Sequence, residues 1–317
     1  MTRHRWLLAL CLLISFAAAQ QPARGGREYP PTLSGAKVEV YKTIGDVKLN
    51  MYVFTPADHK STDKRAAIVF FFGGGWQSGS PGQFHEHCKY LAGRGMVAMT
   101  ADYRVASRHK VKAVDCVRDA KSAIRWTRQE AARLGIDPAR IVAAGGSAGG
   151  HLAACTGVIR GLDEPSEEAA ISSQPSALAL FNPALVLAPL DDGQPVVAER
   201  IETLRERMGV ELKELSPYHH VAAGAPPTII FHGKADSTVP YRTAEAFTTA
   251  MKKAGNRCEL LGYDDQAHGF FNFGRGENVY YNKTLRELDD FLGTLGYVAE
   301  RPTVKPLEPK ARLPKRR

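Results

Sequence analysis

Short, unbroken runs of apolar residues recur along this 317-residue chain and constrain its fold more than any other feature. Such runs are typical of parallel strands that are buried on both faces of a sheet. They stand at Ala66–Phe72, Met96–Ala101, Ile141–Ala144, Ala177–Phe181 and Thr228–Phe231, with a weaker one at Glu259–Tyr263. Segments with apolar residues near helical spacing alternate with them, at Phe84–Ala92, Val111–Leu134, His151–Val158, Tyr241–Ala254 and Tyr280–Leu295. The alternation predicts an α/β fold with a mostly parallel central sheet and helices on both faces.

The organisation along the chain predicts a single domain over residues 36–297. Lys37–Val40 and Val47–Thr55 alternate like an antiparallel hairpin and precede the first buried run. The stretch 182–225 breaks the strand–helix rhythm, with a mixed helix near Val197–Met208 and several prolines. It is interpreted as a small cap-like insertion beside the functional site; the alternative is an ordinary surface helix with long connections.

Both ends of the chain have the composition of segments outside the fold. A positively charged start precedes the apolar run Trp6–Phe16, and residues 17–19 are alanines that offer a cleavage site. This pattern predicts a cleaved signal peptide over residues 1–19, and hence a secreted or periplasmic protein. The apolar run is too short to span a bilayer, so no stable membrane insertion is expected. The basic, proline-containing stretch 300–317 is predicted to be a disordered tail.

The distribution of charge argues against a nucleic-acid partner. Of the formal charge of +9, residues 1–35 carry +3 and residues 300–317 carry +5, so residues 36–299 carry only +1. No basic stripe interleaved with aromatic residues occurs in that nearly neutral part. Binding of nucleic acid by the domain is therefore not expected.

Four cysteines follow the leader, and their pairing stays open. Export permits disulfides, and a bridge between Cys116 and Cys155 is conceivable because they fall on consecutive predicted helices. Four buried free thiols, Cys88 and Cys258 among them, are the alternative. None of the cysteines has the spacing of a metal site, and no metal is expected.

The sequence GGSAG at residues 145–149 lies between a predicted strand and a predicted helix. Gly-x-Ser-x-Gly in that position is the layout of a nucleophile elbow. The turn is so tight that glycine is needed two residues on either side of the serine, whose own backbone is strained. The geometry predicts that Ser147 Oγ stands above the sheet and that the N–H of Ala148 points toward an oxyanion formed there.

Candidates for a base and an orienting acid follow in later loops. A serine hydroxyl is a weak nucleophile and needs both groups. In this topology they come after the serine, acid first, in loops at strand ends. Asp236 lies just beyond the run Thr228–Phe231, and His268 follows Glu259–Tyr263. Ser147, Asp236 and His268 are therefore predicted to form a catalytic triad.

Two aspartates and several histidines are alternatives. Asp264 and Asp265 suit the acid role less well, because they are so close to His268 in sequence that reaching its Nδ1 is awkward. The other histidines are interpreted as packing residues (His151, His232), pocket-lining or helix-capping residues (His219, His220) and surface residues (His85, His87, His109).

A glycine-rich loop directly follows the first buried run, at Gly73-Gly74-Gly75-Trp76. Backbone N–H groups must approach a developing negative charge without a side chain in the way, which favours glycine. One or both of Gly74 and Gly75 are therefore predicted to complete an oxyanion hole with Ala148. A phosphate-binding loop is the lesser alternative, since a Walker Lys-Ser/Thr pair and a G-x-G-x-x-G sequence are absent here.

These four motifs, in this order, resemble the α/β-hydrolase superfamily. The Phe-Gly-Gly-Gly-Trp sequence at 72–76, the elbow at 145–149, Asp236 and His268 carry the likeness, which spans about residues 45–295. The chain looks most like the HGGG-bearing esterase and lipase branch and the secreted carbohydrate esterases near it, such as acetylxylan and feruloyl esterases. The resemblance implies the α/β-hydrolase fold and hydrolysis of a carboxylic ester through an acyl-enzyme, without a metal or organic cofactor.

One residue departs from that branch, and three more are candidate substrate contacts. Phe72 stands where the branch usually has a histidine that braces the loop, which places the positioning of the loop in question. Trp76, Gln77 and Tyr103 are candidates for contact with substrate; for Trp76, packing beneath the insertion is an equal alternative.

The expected substrate is a small-molecule ester or an acetylated or feruloylated polysaccharide. The lack of a long apolar lid helix weighs against an interfacial lipase. A serine exopeptidase and a non-catalytic binding protein on the same scaffold are the alternative functions. The sequence does not indicate an oligomeric state.

Overall fold

The computed structural model describes residues 29–190 and 201–299. The predicted signal peptide at 1–19 and the predicted tail at 300–317 lie outside these residues, so both stay predictions. Thr32 begins a compact unit that contains all the strands and helices given below.

Eight strands within the described residues form one sheet. They are β1 (Lys37–Ile44), β2 (Val47–Phe54), β3 (Arg65–Phe71), β4 (Val97–Ala101), β5 (Ile136–Gly146), β6 (Ala177–Phe181), β7 (Thr228–Gly233) and β8 (Cys258–Tyr263). Their order across the sheet is β1-β2-β4-β3-β5-β6-β7-β8. β2 runs antiparallel to both of its neighbours, and every pair from β4 to β8 is parallel. The predicted N-terminal hairpin and mostly parallel sheet are confirmed.

Helices cover both faces of this sheet. In chain order the described α-helices are α1 (His85–Gly93), α2 (Ala106–His109), α3 (Ala113–Gln129), α4 (Ala148–Val158), α5 (Ile201–Met208), α6 (Tyr241–Lys253) and α7 (Val279–Thr294). Side chains alternate between the faces of a strand. In β3, Val69 faces a core layer that contains residues of α3, α4 and α6, whereas Ile68 and Phe70 face a layer with residues of α1 and α7. Both faces of β3 are therefore buried, which explains its unbroken apolar run.

Two boundaries differ from the sequence-based expectation for physical reasons. The helix expected over Val111–Leu134 ends at Gln129, but Ala131 and Leu134 stay buried, so the apolar pattern continues where the helix does not. β5 begins at Ile136, ahead of the expected Ile141, because it pairs with β3 at Ile136 and again from Ile141 onward, with residues 137–140 accommodated by a register shift.

The stretch predicted to be cap-like, 182–225, is described except for residues 191–200. The regular elements in its described part are α5 and two short 3₁₀ turns, Leu212–Leu215 and Pro217–His220. No helix among the described residues has both the length and the apolar character needed to cross a bilayer.

Candidate active site

Ser147 lies in the turn from β5 into α4 with a strained backbone, at φ 55° and ψ −120°. The surrounding glycines are required by space. A Cβ on Gly145 would collide with the carbonyl oxygen of Gly149, and one on Gly149 would collide with the backbone of Phe71. The strand, sharp turn and helix thus have the geometry expected of an elbow, with the serine at the helix N-terminus.

The three side chains predicted to form a triad lie together. His268 Nε2 is 2.9 Å from Ser147 Oγ, and His268 Nδ1 is 2.7 Å from Asp236 Oδ2. Asp236 follows β7 and His268 follows β8, so the parallel strands bring them to the same edge of the sheet as the elbow. With the ring proton on Nδ1, the imidazole donates to Asp236 and accepts from the serine hydroxyl.

Asp236 is a fully hydrogen-bonded, buried carboxylate. Its Oδ1 accepts the backbone N–H groups of Thr238 and Val239 at 2.9 and 2.8 Å, and its Oδ2 accepts from Asn182 Nδ2 at 2.8 Å. Burial acts to raise the pKa of this carboxyl, but hydrogen bonds from His232, His268 and Val239 outweigh it and hold the pKa well below its usual range. The group is therefore an anion at neutral pH.

The alternative acids are placed elsewhere. Asp264 is exposed and pairs with Lys234 at 2.8 Å. That partner, rather than the imidazole, lowers the pKa of Asp264. Asp236 is the carboxylate that reaches His268.

The glycine-rich loop passes beside the serine. Gly75 and Ala148 line the same pocket as Ser147. Ala148 is the first residue of α4, so its N–H has no partner within the helix. Gly74 is exposed and has φ 132°, a conformation that suits glycine alone, and it shapes the turn into Gly75. The loop lies beside Ser147, and its role as an oxyanion hole stays a prediction.

Aromatic stacking supports this loop at Phe72. The buried Phe72 ring stacks on Tyr103, with centroids 4.0 Å apart and an interplanar angle of 17°. Tyr103 Oη donates to the Phe72 carbonyl at 2.7 Å. From the other side, Gln83 Oε1 accepts the N–H of Gly73 at 2.6 Å, and Gln83 Nε2 donates to Asn272 at 2.9 Å. The Gln83 contacts connect the glycine-rich loop to the loop that carries His268.

The three candidate substrate contacts have different positions. Tyr103 is wholly buried beneath the loop, so the prediction that it contacts substrate is wrong. Gln77 is exposed and is not among the residues that line the pocket at Ser147. Trp76 lines that pocket and is also buried. Its position therefore fits both the predicted contact with substrate and the alternative of a packing role.

The buried His151 connects Trp76 to the cap-like stretch. Trp76 Nε1 donates to His151 Nδ1 at 3.2 Å, so His151 Nε2 carries the proton and donates to the Leu215 carbonyl at 2.7 Å. Burial lowers the pKa of His151 to about 4. His151 is thus a neutral packing residue, as predicted, and it fixes the indole that forms one wall of the pocket.

His87, His219, His220 and the four cysteines lie outside the triad. His87 is wholly buried among aromatic rings, so its prediction as a surface residue is wrong. His219 Nδ1 is hydrogen-bonded to the Ser216 hydroxyl, and His220 Nε2 donates to the Lys213 carbonyl. Neither ring lines the pocket at Ser147. Cys88, Cys116, Cys155 and Cys258 are all buried free thiols. No group of three His, Cys, Asp or Glu side chains within the described ranges has a metal-binding arrangement.

Three site residues were not found by sequence reasoning. Asn182 follows β6 directly, and its place at a strand end was a usable signal. Gln83 lies in a 3₁₀ turn far from the motifs, and Arg207 lies on α5 in the cap-like stretch. Their sequence positions gave no comparable signal, because only the tertiary fold brings them to the site.

Replacing Gly74 by alanine is expected to lower kcat about a hundredfold or more, in line with the loss of an oxyanion donor. The new Cβ would collide with the carbonyl of Ser78, whose carbon is 2.7 Å away, so the loop must move. Gly45→Ala is the matched control, since Gly45 also has a positive φ but no atom lies within 4 Å of its Cβ position. Steady-state hydrolysis of a short ester measures the effect; equal activity of the two variants would contradict it.

The mostly parallel sheet, the elbow and the Ser147–His268–Asp236 geometry together define an α/β-hydrolase. The profile of the BD-FAE family matches residues 51–251, more than half of the chain. The chain belongs to the BD-FAE family. The profile of the dienelactone hydrolase family also matches residues 212–295.

Similar proteins of known structure and curated relatives agree with this class. Thermogutta terrifontis esterase 2, phosphonylated by sarin, is 59% identical with a TM-score of 0.84, over 86% of this chain and 100% of that chain. The propionate-bound form is 60% identical with a TM-score of 0.82, over 86% and 99%. Esterase LipC of Mycobacterium tuberculosis is 29% identical over 66% of this chain and 54% of LipC. The chain spans about half the length of the curated relatives it matches.

Proposed function

We propose that this protein is a serine carboxylesterase that hydrolyses esters with short acyl groups. The observation that carries the proposal is the hydrogen-bonded path from Ser147 through His268 to Asp236, at 2.9 and 2.7 Å. Its 59% identity to an esterase with a sarin-phosphonylated structure supports it, since phosphonylation of an esterase is consistent with an activated nucleophile.

In the first half of the reaction, Ser147 Oγ attacks the ester carbonyl while its proton passes to His268 Nε2. The carbonyl oxygen becomes an oxyanion, which the N–H groups of Ala148 and of Gly75 or Gly74 stabilise. The intermediate then collapses, the C–O bond to the alcohol breaks, and His268 returns the proton to the leaving alcohol. An acyl group remains on Ser147.

Water completes the cycle by the same route. It attacks the acyl carbon as His268 takes one of its protons, and collapse of the second intermediate releases the carboxylic acid and returns the proton to Ser147. The Asp236 anion faces the ring throughout, and it stabilises the imidazolium that forms in each half. Its low pKa keeps it charged as the imidazole cycles.

The size of the pocket supports short acyl groups. The pocket at Ser147 has a volume of about 120 Å³, and its walls are mainly apolar, including Trp76, Val186 and Leu187. A protein cavity of about 150 Å³ holds benzene, so the space suits roughly four or five heavy atoms. The propionate- and butyrate-bound structures of the Thermogutta esterase are consistent with this size.

A series of esters with a common alcohol tests the proposal, from acetyl through long acyl chains and including feruloyl. We expect kcat/KM to be greatest between acetyl and butyryl and to fall about tenfold or more for octanoyl, because a chain that does not fit displaces the carbonyl. Ser147→Ala is the control for uncatalysed hydrolysis. Activity that rises steadily to palmitoyl, or that persists in Ser147→Ala, would contradict the proposal.

For the alcohol part, we propose acylated carbohydrate outside the cytoplasm. The leader pattern at residues 1–19 and the resemblance to carbohydrate esterases support this assignment. So does a site open to solvent, where the His268 side chain is 25% exposed. Two measurements test this assignment. Release of acetate from acetylated xylan tests the carbohydrate substrate, and the N-terminal sequence of the protein expressed with its leader tests cleavage of the leader. A lack of acetate release would contradict the carbohydrate assignment and would leave the proposed esterase activity unaffected.

A further inference from the structure

We propose that Arg207 binds a second, negatively charged group of the substrate, so that the preferred esters carry a carboxylate besides the bond that is cleaved. The inference rests on the proposed esterase function and deepens it. Arg207 lies near the end of α5 and lines the same pocket as Ser147. It is a specificity-determining residue in this proposal.

The guanidinium of Arg207 is incompletely satisfied. Its Nε is buried and has no hydrogen-bond partner among the described residues. A buried donor without a partner costs free energy, and the cost is greater for a charged group. Because Nε itself is closed off, a substrate acceptor would meet the Nη1 edge of the guanidinium, beside Gly75, and would supply the charged group with a partner that the described residues do not give to Nε.

The pocket also lacks a compensating negative charge. Arg207 is the one charged side chain among the described residues that line it; the others are apolar, glycine, serine or threonine. Asp236 lies behind the imidazole and has its own hydrogen bonds. The lining is therefore positive on balance and complementary to an anion.

The position of the guanidinium fits recognition of a small substrate. Arg207 Nη1 lies 3.7 Å from the point that a Cβ on Gly75 would occupy. Because Gly75 and Ser147 line the same small pocket, an anion bound by Arg207 belongs to the molecule whose ester is attacked. A carboxylate matches the planar fork of arginine in geometry and charge.

A different role for Arg207 makes a different prediction. If its charge acted on the oxyanion alone, its loss would slow neutral and charged esters by the same factor. If it binds a substrate carboxylate, its loss slows the hydrolysis of charged esters more than that of their neutral counterparts. The ratio of kcat/KM for a charged ester to that for its neutral counterpart therefore separates the two roles.

Two substrate pairs provide this ratio in a pH-stat assay. Monoethyl glutarate and ethyl pentanoate place the charge, or its absence, on the acyl side. Acetylated lactate and acetylated lactamide place it on the alcohol side. The variants are Arg207→Gln, which removes the charge, and Arg207→Lys, which retains it. Arg205→Gln is the matched control, because Arg205 lies on the same helix, is exposed and pairs with Glu202 at 3.2 Å.

In at least one pair, we expect Arg207→Gln to lower the charged-to-neutral ratio about tenfold or more, as for loss of a charged hydrogen bond. Arg207→Lys is expected to retain part of the ratio, and Arg205→Gln all of it. Added salt should lower the ratio of the wild type more than that of Arg207→Gln. An unchanged ratio in both pairs, including an equal loss on both esters, would overturn the inference. Hydrolysis of ethyl pentanoate that depends on Ser147 would leave the proposed function intact in that case.

Discussion

Ser147→Ala and His268→Ala are each expected to lower kcat for a short ester by about 10⁶-fold, and the double variant is expected to lose little more. The hydroxyl and the imidazole act as one unit, because the proton that leaves Ser147 Oγ must pass to the His268 Nε2 that lies 2.9 Å away. Once either group is missing, that transfer cannot occur. The residual rate then comes from the oxyanion hole and from binding.

The orienting acid is expected to contribute less. Asp236→Asn should lower kcat about 10⁴-fold, because an amide NH₂ facing Nδ1 favours the wrong tautomer of the ring. Asp264→Asn is the control, since this exposed aspartate contacts Lys234 and not the imidazole. Single-turnover rates with a chromogenic acetate measure the series, and circular dichroism checks that each variant is folded. Losses that multiply in the Ser147 and His268 double variant would contradict the account.

Acid is expected to destabilise the fold, and His87 is a main cause. Burial lowers its pKa from 6.5 to about 3, and neither of its ring nitrogens has a hydrogen-bond partner among the described residues. The folded state therefore binds fewer protons than the unfolded state between these two values, so stability falls as the pH drops below 6.5. At pH 5 this single residue accounts for about 2 kcal/mol of lost stability, at 1.36 kcal/mol per pH unit below 6.5. The depressed pKa of His151 acts in the same direction.

The substitution His87→Leu tests this directly. Its free energy of unfolding, measured in urea, is expected to fall between pH 7 and pH 5 by about 2 kcal/mol less than that of the wild type. His220→Leu is the comparison, because that ring is only partly buried and its Nε2 donates to the carbonyl of Lys213. The same pH dependence in His87→Leu and the wild type would show that the buried imidazole is not responsible.

The sheet and the elbow were predictable because local sequence patterns encode them. Unbroken apolar runs indicate strands that are buried on both faces. The glycines around Ser147 indicate a tight turn, in which a Cβ on Gly149 would collide with the backbone of Phe71. Asp236 and His268 were chosen because the acid and then the base follow the serine in the chain order known for triads with a nucleophile elbow. These features depend on residues adjacent in sequence, or on the one rule that strand ends meet at an edge.

The features that could not be predicted depend on contacts between distant segments. Tyr103 follows a strand end, as a substrate contact could, but its ring turns beneath Phe72 and stacks there. Gln83 and Asn272 are 189 residues apart and meet only in the folded protein. His87 was misplaced because a histidine on a short helix is usually exposed, although it shares a face with Phe84 and Leu91, which was a usable signal.

Covalent labelling by a fluorophosphonate probe, located by peptide mass spectrometry, tests the central claim most directly. We predict one adduct per chain on the peptide that contains Ser147, absent from Ser147→Ala, strongly slowed in His268→Ala and lost after heat unfolding. Modification of another residue, or labelling of Ser147→Ala to the same extent as the wild type, would show that this serine is not the activated nucleophile.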